Sequence, residues 1–195
     1  MPEGGDGWYL DSTVRPNDKY ESYIIKELIP TVEHEYRAIN DRRGRAVAGL
    51  SMGGYGAIKF GLKYPDKFVF VGSMSGALNG TKFTGTKDKE IGQLVDQYMG
   101  PIDSQVRKDN DIFDLVSKLK ASGISALPFI YMDCGTEDFL FSANRDFSSL
   151  LQEKKIPHEY RELPGAHTWP YWEQQIQEIL RKTDAVFSPD KGKDK

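Results

Sequence analysis

The sequence predicts an α/β layered fold with a mainly parallel sheet, and three observations carry that prediction. Strand-like and helix-like segments alternate along the 195 residues at the spacing of βα units. The strand-like runs, such as "KFVFVGSMSG" and "LPFIYMDCG", have no polar face, as expected of strands covered by helices on both sides. No repeat or composition break divides the chain, so a single domain is expected over residues 1–185, with a polar, disordered tail at 186–195.

Taken in order, "NDKYESYIIKELIPTVEHEYRAI" predicts an amphipathic helix. Asn17 or Asp18 could cap it, and Tyr20, Ile24, Leu28, Val32 and Tyr36 recur every four residues along one face. Pro30 should kink it or end a first half. "GRAVAGLS" is a short buried strand, and "GGYGAIKFGLKY" a helix stopped at Tyr64 by Pro65. "KFVFVGSMSG" is the second strand. Residues 79–112 are polar, Gly-rich and weakly periodic, an irregular excursion with one short helix near Gln93 to Tyr98. "DIFDLVSKLKAS" is helical, capped by Asp111 and ended at Gly123. "LPFIYMDCG" is the third strand, "SANRDFSSLLQEKK" a helix, "PHEYREL" the fourth strand, and "PYWEQQIQEILRKT" a closing helix with Pro170 in its first turn.

Composition narrows the function classes. A formal net charge of -3 with acidic and basic residues near balance argues against a nucleic-acid binder. No apolar run approaches the roughly 20 residues that cross a bilayer. "MPEGGDGWYL" lacks the basic start and apolar stretch of a signal peptide, and the compartment stays open. A single cysteine, Cys134, excludes an internal disulfide, and no Cys/His cluster has metal-ligand spacing. No metal or other cofactor is expected.

One stretch carries chemistry. In "GLSMGGYGA", Gly49-Leu50-Ser51-Met52-Gly53 fits the G-x-S-x-G nucleophile elbow, in the strand–turn–helix context that motif requires. The tight turn strains the serine backbone, and glycines at the flanking positions avoid collisions with the adjoining strand and helix. The Oγ is then held at a helix N-terminus, where the Met52 N–H can donate to a developing oxyanion.

A serine hydroxyl needs a general base, and the chain has three histidines. His34 lies within the first amphipathic helix, and His158 starts the fourth strand in the alternating "HEYRE". His167, in "LPGAHTWPYW", falls in the loop between the last strand and the last helix, the position of a base in this architecture. The orienting acid should lie between serine and histidine, after a strand. "YMDCGTEDFL" offers Asp133 within the strand and Glu137 and Asp138 in the loop; Asp138 is preferred, with Glu137 as the reserve. The order Ser51, Asp138, His167 is that of an α/β-hydrolase.

With those residues in view, "GLSMGGYGA", "SGAL", "CGTEDFL", "GAHTWPYW" and "GWYLDS" resemble the esterase D family over about Gly5 to Leu180. That family includes S-formylglutathione hydrolases, tributyrin-type esterases, feruloyl and acetyl-xylan esterases, and mycolyltransferases. The resemblance implies an α/β-hydrolase fold, no cofactor, and a Ser-Asp-His triad that carries onto Ser51, Asp138 and His167. Met52 matches the backbone donor after the nucleophile. Trp169 resembles a pocket-lining aromatic, and equally a core or helix-start aromatic. The sequence departs from the family at its start, where further N-terminal strands and an HG-type loop with a second oxyanion N–H are expected. The strand Ala46 to Leu50 would then lose a neighbour, which predicts a homo-oligomer through an exposed sheet edge, or association with a separate N-terminal piece.

The expected activity is serine carboxylesterase, through an acyl-enzyme on Ser51, acting on short acyl, acetyl or feruloyl esters that are small molecules or are linked to plant polysaccharide. The rivals are an S-formylglutathione-type thioesterase and a weakly active or non-catalytic remnant lacking part of the oxyanion hole.

Overall fold

The structure is a computed structural model that describes residues 1–2 and 4–188. Its centre is a four-stranded, all-parallel sheet in the order β1 (Ala46–Leu50), β2 (Phe70–Met74), β3 (Phe129–Gly135) and β4 (His158–Leu163). Each of the first three strands is followed by a helical crossover that returns the chain to the same end of the sheet, as parallel pairing demands. The C-terminal strand ends therefore share one rim, and the loops leaving them build the site.

Alternation along the two central strands sorts the core into two layers. Val71, Ile130 and Met132 face the larger cluster, with Tyr55 and Ile58 of the elbow helix (Met52–Lys63), Val116 of the helix Ile112–Lys118 and Phe147 of the helix Phe141–Glu153. Phe70, Tyr131 and Met74 face the other side and pack on Tyr171, Trp172 and Ile179 of the C-terminal helix Trp169–Phe187. Cys134 is fully buried on β3, and burial pushes its thiol up to about 12.

The N-terminal segment is tied to the elbow helix by a buried charge. Lys59 Nζ donates to Glu21 at 2.8 Å and to the Tyr9 carbonyl at 2.5 Å, and the Tyr64 hydroxyl donates to Glu21 at 2.6 Å. Trp8 and Tyr9 both take left-handed backbone angles beside this anchor.

Several expectations need correction. Neither Asn17 nor Asp18 caps the first helix: Lys19 takes the cap position without a side-chain bond, and Asp18 pairs with Arg15 instead. The helical run is Tyr20–Ser22, a π-helical Tyr23–Leu28, then Ile29–Glu35. Pro30 does not stop the helical run, but it sits in the first turn of the α-helical second stretch, just after the π-helical one ends. A proline has no N–H to return to the carbonyl four residues back, and the wider π turn accommodates that loss. The extra residue in that turn rotates the apolar face. Ile24 is buried, but Val32 and Tyr36 point to solvent.

Residues 79–112 are more ordered than expected, with helices at Lys89–Met99 and Gln105–Asn110. Asp111 does cap the next helix, accepting from the Phe113 and Asp114 N–H groups, but that helix stops at Lys118. At the C-terminus, Val186 and Phe187 are still helical; of the expected tail, residues 189–195 lie outside the described residues.

Candidate active site

Ser51 sits between β1 and the elbow helix with φ 52° and ψ -117°, a conformation a non-glycine residue holds only when its surroundings impose it. Three backbone bonds do so. Its N–H donates to the Met74 carbonyl at 3.0 Å, and its carbonyl accepts from Tyr55 N–H at 3.1 Å and Ala77 N–H at 2.9 Å. The glycines divide differently from the motif. A Cβ on Gly49 would stand 2.5 Å from the Gly53 carbonyl carbon, and one on Gly54 2.5 Å from Ser73 Oγ. A Cβ on Gly53 would meet nothing closer than the Tyr9 hydroxyl at 3.8 Å, so the motif's second glycine is not sterically required here.

The loops after β3 and β4 bring the distant partners in. His167 Nε2 lies 3.0 Å from Ser51 Oγ, and His167 Nδ1 lies 2.9 Å from Asp138 Oδ2. A carboxylate can only accept, so Nδ1 carries the proton and Nε2 is left to accept from the serine. Asp138 is buried, and its other oxygen accepts from Leu140 N–H at 2.8 Å. Burial pushes this carboxyl upward, but the His167 and Leu140 hydrogen bonds outweigh it and hold Asp138 below its usual range. The imidazole is wedged between Phe139 and Trp172, each with its ring centroid 4.8 Å away.

The other candidates are placed elsewhere. His34 is exposed on the first helix. His158 bonds Ser148 at 2.8 Å and the Ile156 carbonyl at 2.9 Å, away from the serine. Asp133 is buried under the sheet rim and accepts from the Tyr171 hydroxyl at 2.9 Å; burial raises its carboxyl to about 7. Glu137, the reserve acid, contacts no part of the imidazole and instead bonds the Gly165 N–H. Phe139 was not singled out in the sequence; only its place beside the acid in "TEDFL" could have marked it.

Trp169 begins the C-terminal helix and is 66% exposed, which removes the core reading. With Trp172 it closes one end of a groove of about 590 Å³ that runs from Ser51 along the edge of β1. Val47, Leu50, Phe60, Ile24 and Ile176 make its walls apolar, and among the described residues Glu173 brings a charged side chain to the lining. Met52 N–H opens the elbow helix next to Ser51, where a first-turn amide has no partner within the helix. Among the described residues no cluster of His, Cys, Asp and Glu could hold a metal ion, and no helix is long and apolar enough to cross a membrane.

Comparison with known proteins gives the family and the fold. The family model described as "Putative esterase" matches residues 1–183. The chain is 34% identical over 181 residues to an acetyl esterase of Caldicellulosiruptor saccharolyticus, covering 90% of this chain and 67% of that protein. It is 28% identical to the S-formylglutathione hydrolase of Mus musculus, covering 80% and 54%. A solved ferulic acid esterase superposes with a TM-score of 0.75 at 29% identity, covering 92% of this chain and 64% of that one. The chain thus spans about two thirds or less of the length of these relatives, and its sheet has the α/β-hydrolase arrangement that they share.

Proposed function

Since the chain belongs to the family described as "Putative esterase", we propose that it is a serine carboxylesterase working through an acyl-enzyme on Ser51. The observation that carries this reading is the continuous hydrogen-bonded chain from Ser51 Oγ through His167 to buried Asp138. Ser51 Oγ attacks the ester carbonyl as His167 Nε2 takes its proton. Asp138 keeps the imidazole in the right tautomer and stabilises the imidazolium. The Met52 N–H, assisted by the positive end of the elbow helix, stabilises the tetrahedral oxyanion. His167 then returns the proton to the leaving alcohol. A water, deprotonated by the same imidazole, releases the acid.

The groove beside Ser51 takes the acyl group. Its apolar walls suit acetyl and larger acyl chains, and its tryptophans suit a feruloyl ring. Similarity to an acetyl esterase and to a ferulic acid esterase supports this substrate range. The thioesterase alternative fits less well. Glu173 is acidic, and among the described residues no lysine or arginine lines the groove to meet the carboxylates of glutathione. We also propose that the open β1 edge pairs two copies of the chain, which light scattering after size exclusion would read as a dimer mass.

A fluorophosphonate probe with p-nitrophenyl esters of rising chain length tests the main reading. Labelling and turnover are expected in the wild type, and both should vanish in Ser51→Ala. A folded wild-type protein that takes no label would favour the non-catalytic alternative.

A further inference from the structure

Glu137 was the runner-up for the triad acid, and the structure gives it a different task. The loops after β3 and β4 cross closely. A Cβ on Gly135 would stand 2.1 Å from the Gly165 carbonyl oxygen, and Gly165 itself has φ 144°, with Tyr171 packed where a Cβ would go. At this crossing Glu137 holds both polar groups of one residue. Its N–H donates to the Gly165 carbonyl at 2.9 Å, and its carboxylate Oε2 accepts from the Gly165 N–H. The second carboxylate oxygen accepts from Thr136 Oγ1 at 2.7 Å, and Thr136 N–H donates to the Leu163 carbonyl at 2.8 Å. The Thr136 hydroxyl, and then the Gly165 amide, hold the Glu137 carboxyl below its usual range, so the acceptor stays charged.

Asp138 follows Glu137 directly, and His167 stands two residues beyond Gly165. The clamp therefore joins the two loops one residue from the acid and two residues from the base. We propose that Glu137 is a positioning residue that sets the Asp138–His167 geometry by gripping Gly165. It touches neither the substrate nor the imidazole. Its side chain is exposed, so the bonds contribute little to global stability. Their effect is on registry, where a small misplacement of a catalytic group is costly in rate.

The inference rests on the esterase reading, and the experiment separates the two. Glu137→Ala, Glu137→Gln and Glu137→Asp are compared with the wild type and Ser51→Ala. For Glu137→Ala, kcat should fall about five- to tenfold while KM stays within about twofold. Glu137→Gln keeps an acceptor of the same reach without the charge and should recover most of kcat. Glu137→Asp keeps the charge but is one methylene short, should behave like the alanine variant, and serves as the truncation if alanine does not fold.

Amide hydrogen exchange at Gly165 gives a readout independent of turnover: slow in the wild type and the Gln variant, faster in Ala and Asp. An unchanged kcat and an unchanged Gly165 exchange rate in the truncated variants would overturn the clamp. So would a Gln variant as impaired as Ala, which would make charge rather than grip the cause. If the wild type turns over no faster than Ser51→Ala, the esterase reading fails, and the Gly165 exchange rates alone decide the clamp.

Discussion

The two flanks of Ser51 are built in opposite ways. On the side of β3 and β4, the loops are cross-bonded, the acid is buried, and the imidazole is wedged between Phe139 and Trp172. On the side of β1, the serine opens onto an apolar groove along a sheet edge. Proton transfer tolerates little displacement, so its groups are fixed by directional bonds. Acyl binding tolerates more, and non-directional apolar contact suffices. On the proposed esterase reading, the contrast separates the part of the site that would set rate from the part that would set selectivity.

The largest expected effect lies on the fixed flank. Asp138→Asn should lower kcat by about 10⁴, because an amide leaves the imidazole in the wrong tautomer with its geometry intact. Steady-state kinetics on p-nitrophenyl acetate checks this, and a loss under tenfold would remove Asp138 from the relay. Next come the elbow glycines. Gly49→Ala should abolish soluble folding or lower the melting temperature steeply, since its Cβ meets main chain at 2.5 Å. Gly53→Ala should melt within a few degrees of the wild type. If the two glycines prove equally sensitive, the roles assigned to them are wrong.

On the open flank, Ala48→Arg puts a charge on the exposed, central residue of the edge strand. A dimer joined at this edge should become monomeric by light scattering, and longer acyl esters should lose rate relative to acetyl. Pairing is plausible chemically because β1 carries no charge or proline to deter it.

The smallest effect concerns Asp133. Its carboxyl is raised to about 7 in the folded state, so the native protein holds a proton there that the unfolded chain releases near its ordinary, lower value. Stability from this group is full below the unfolded value and is lost as pH rises toward 7. The melting temperature of Asp133→Asn minus that of the wild type should therefore increase from pH 4 to pH 7. A flat difference would mean that Asp133 is ionised throughout.

The meeting of Ser51, Asp138 and His167 was legible in the sequence because each follows a strand, in an order that a parallel sheet converts into proximity. Other features depend on contacts without a local signature. The stripe failed at Val32 because one π turn rotates the helix after it, and at Tyr36 because the helix has already ended at Glu35. The order within residues 79–112 comes largely from Arg107. Its buried guanidinium donates to the carbonyls of Gly100 at 2.9 Å and of Thr81 and Phe83 at 2.7 Å, and pairs with Asp96. A lone arginine in a polar stretch does not announce three carbonyl partners. Glu137 was visible only as a spare acid, since its role exists only where two loops cross.

Cys134 has a practical consequence. It is the single thiol, sealed inside the third strand, and its raised pKa keeps it protonated at neutral pH. A maleimide or iodoacetamide can reach it only when the middle of the sheet comes apart. The molecule thus carries its own clock for opening, whose ticks accumulate as covalent mass while the serine stays available to a different reagent.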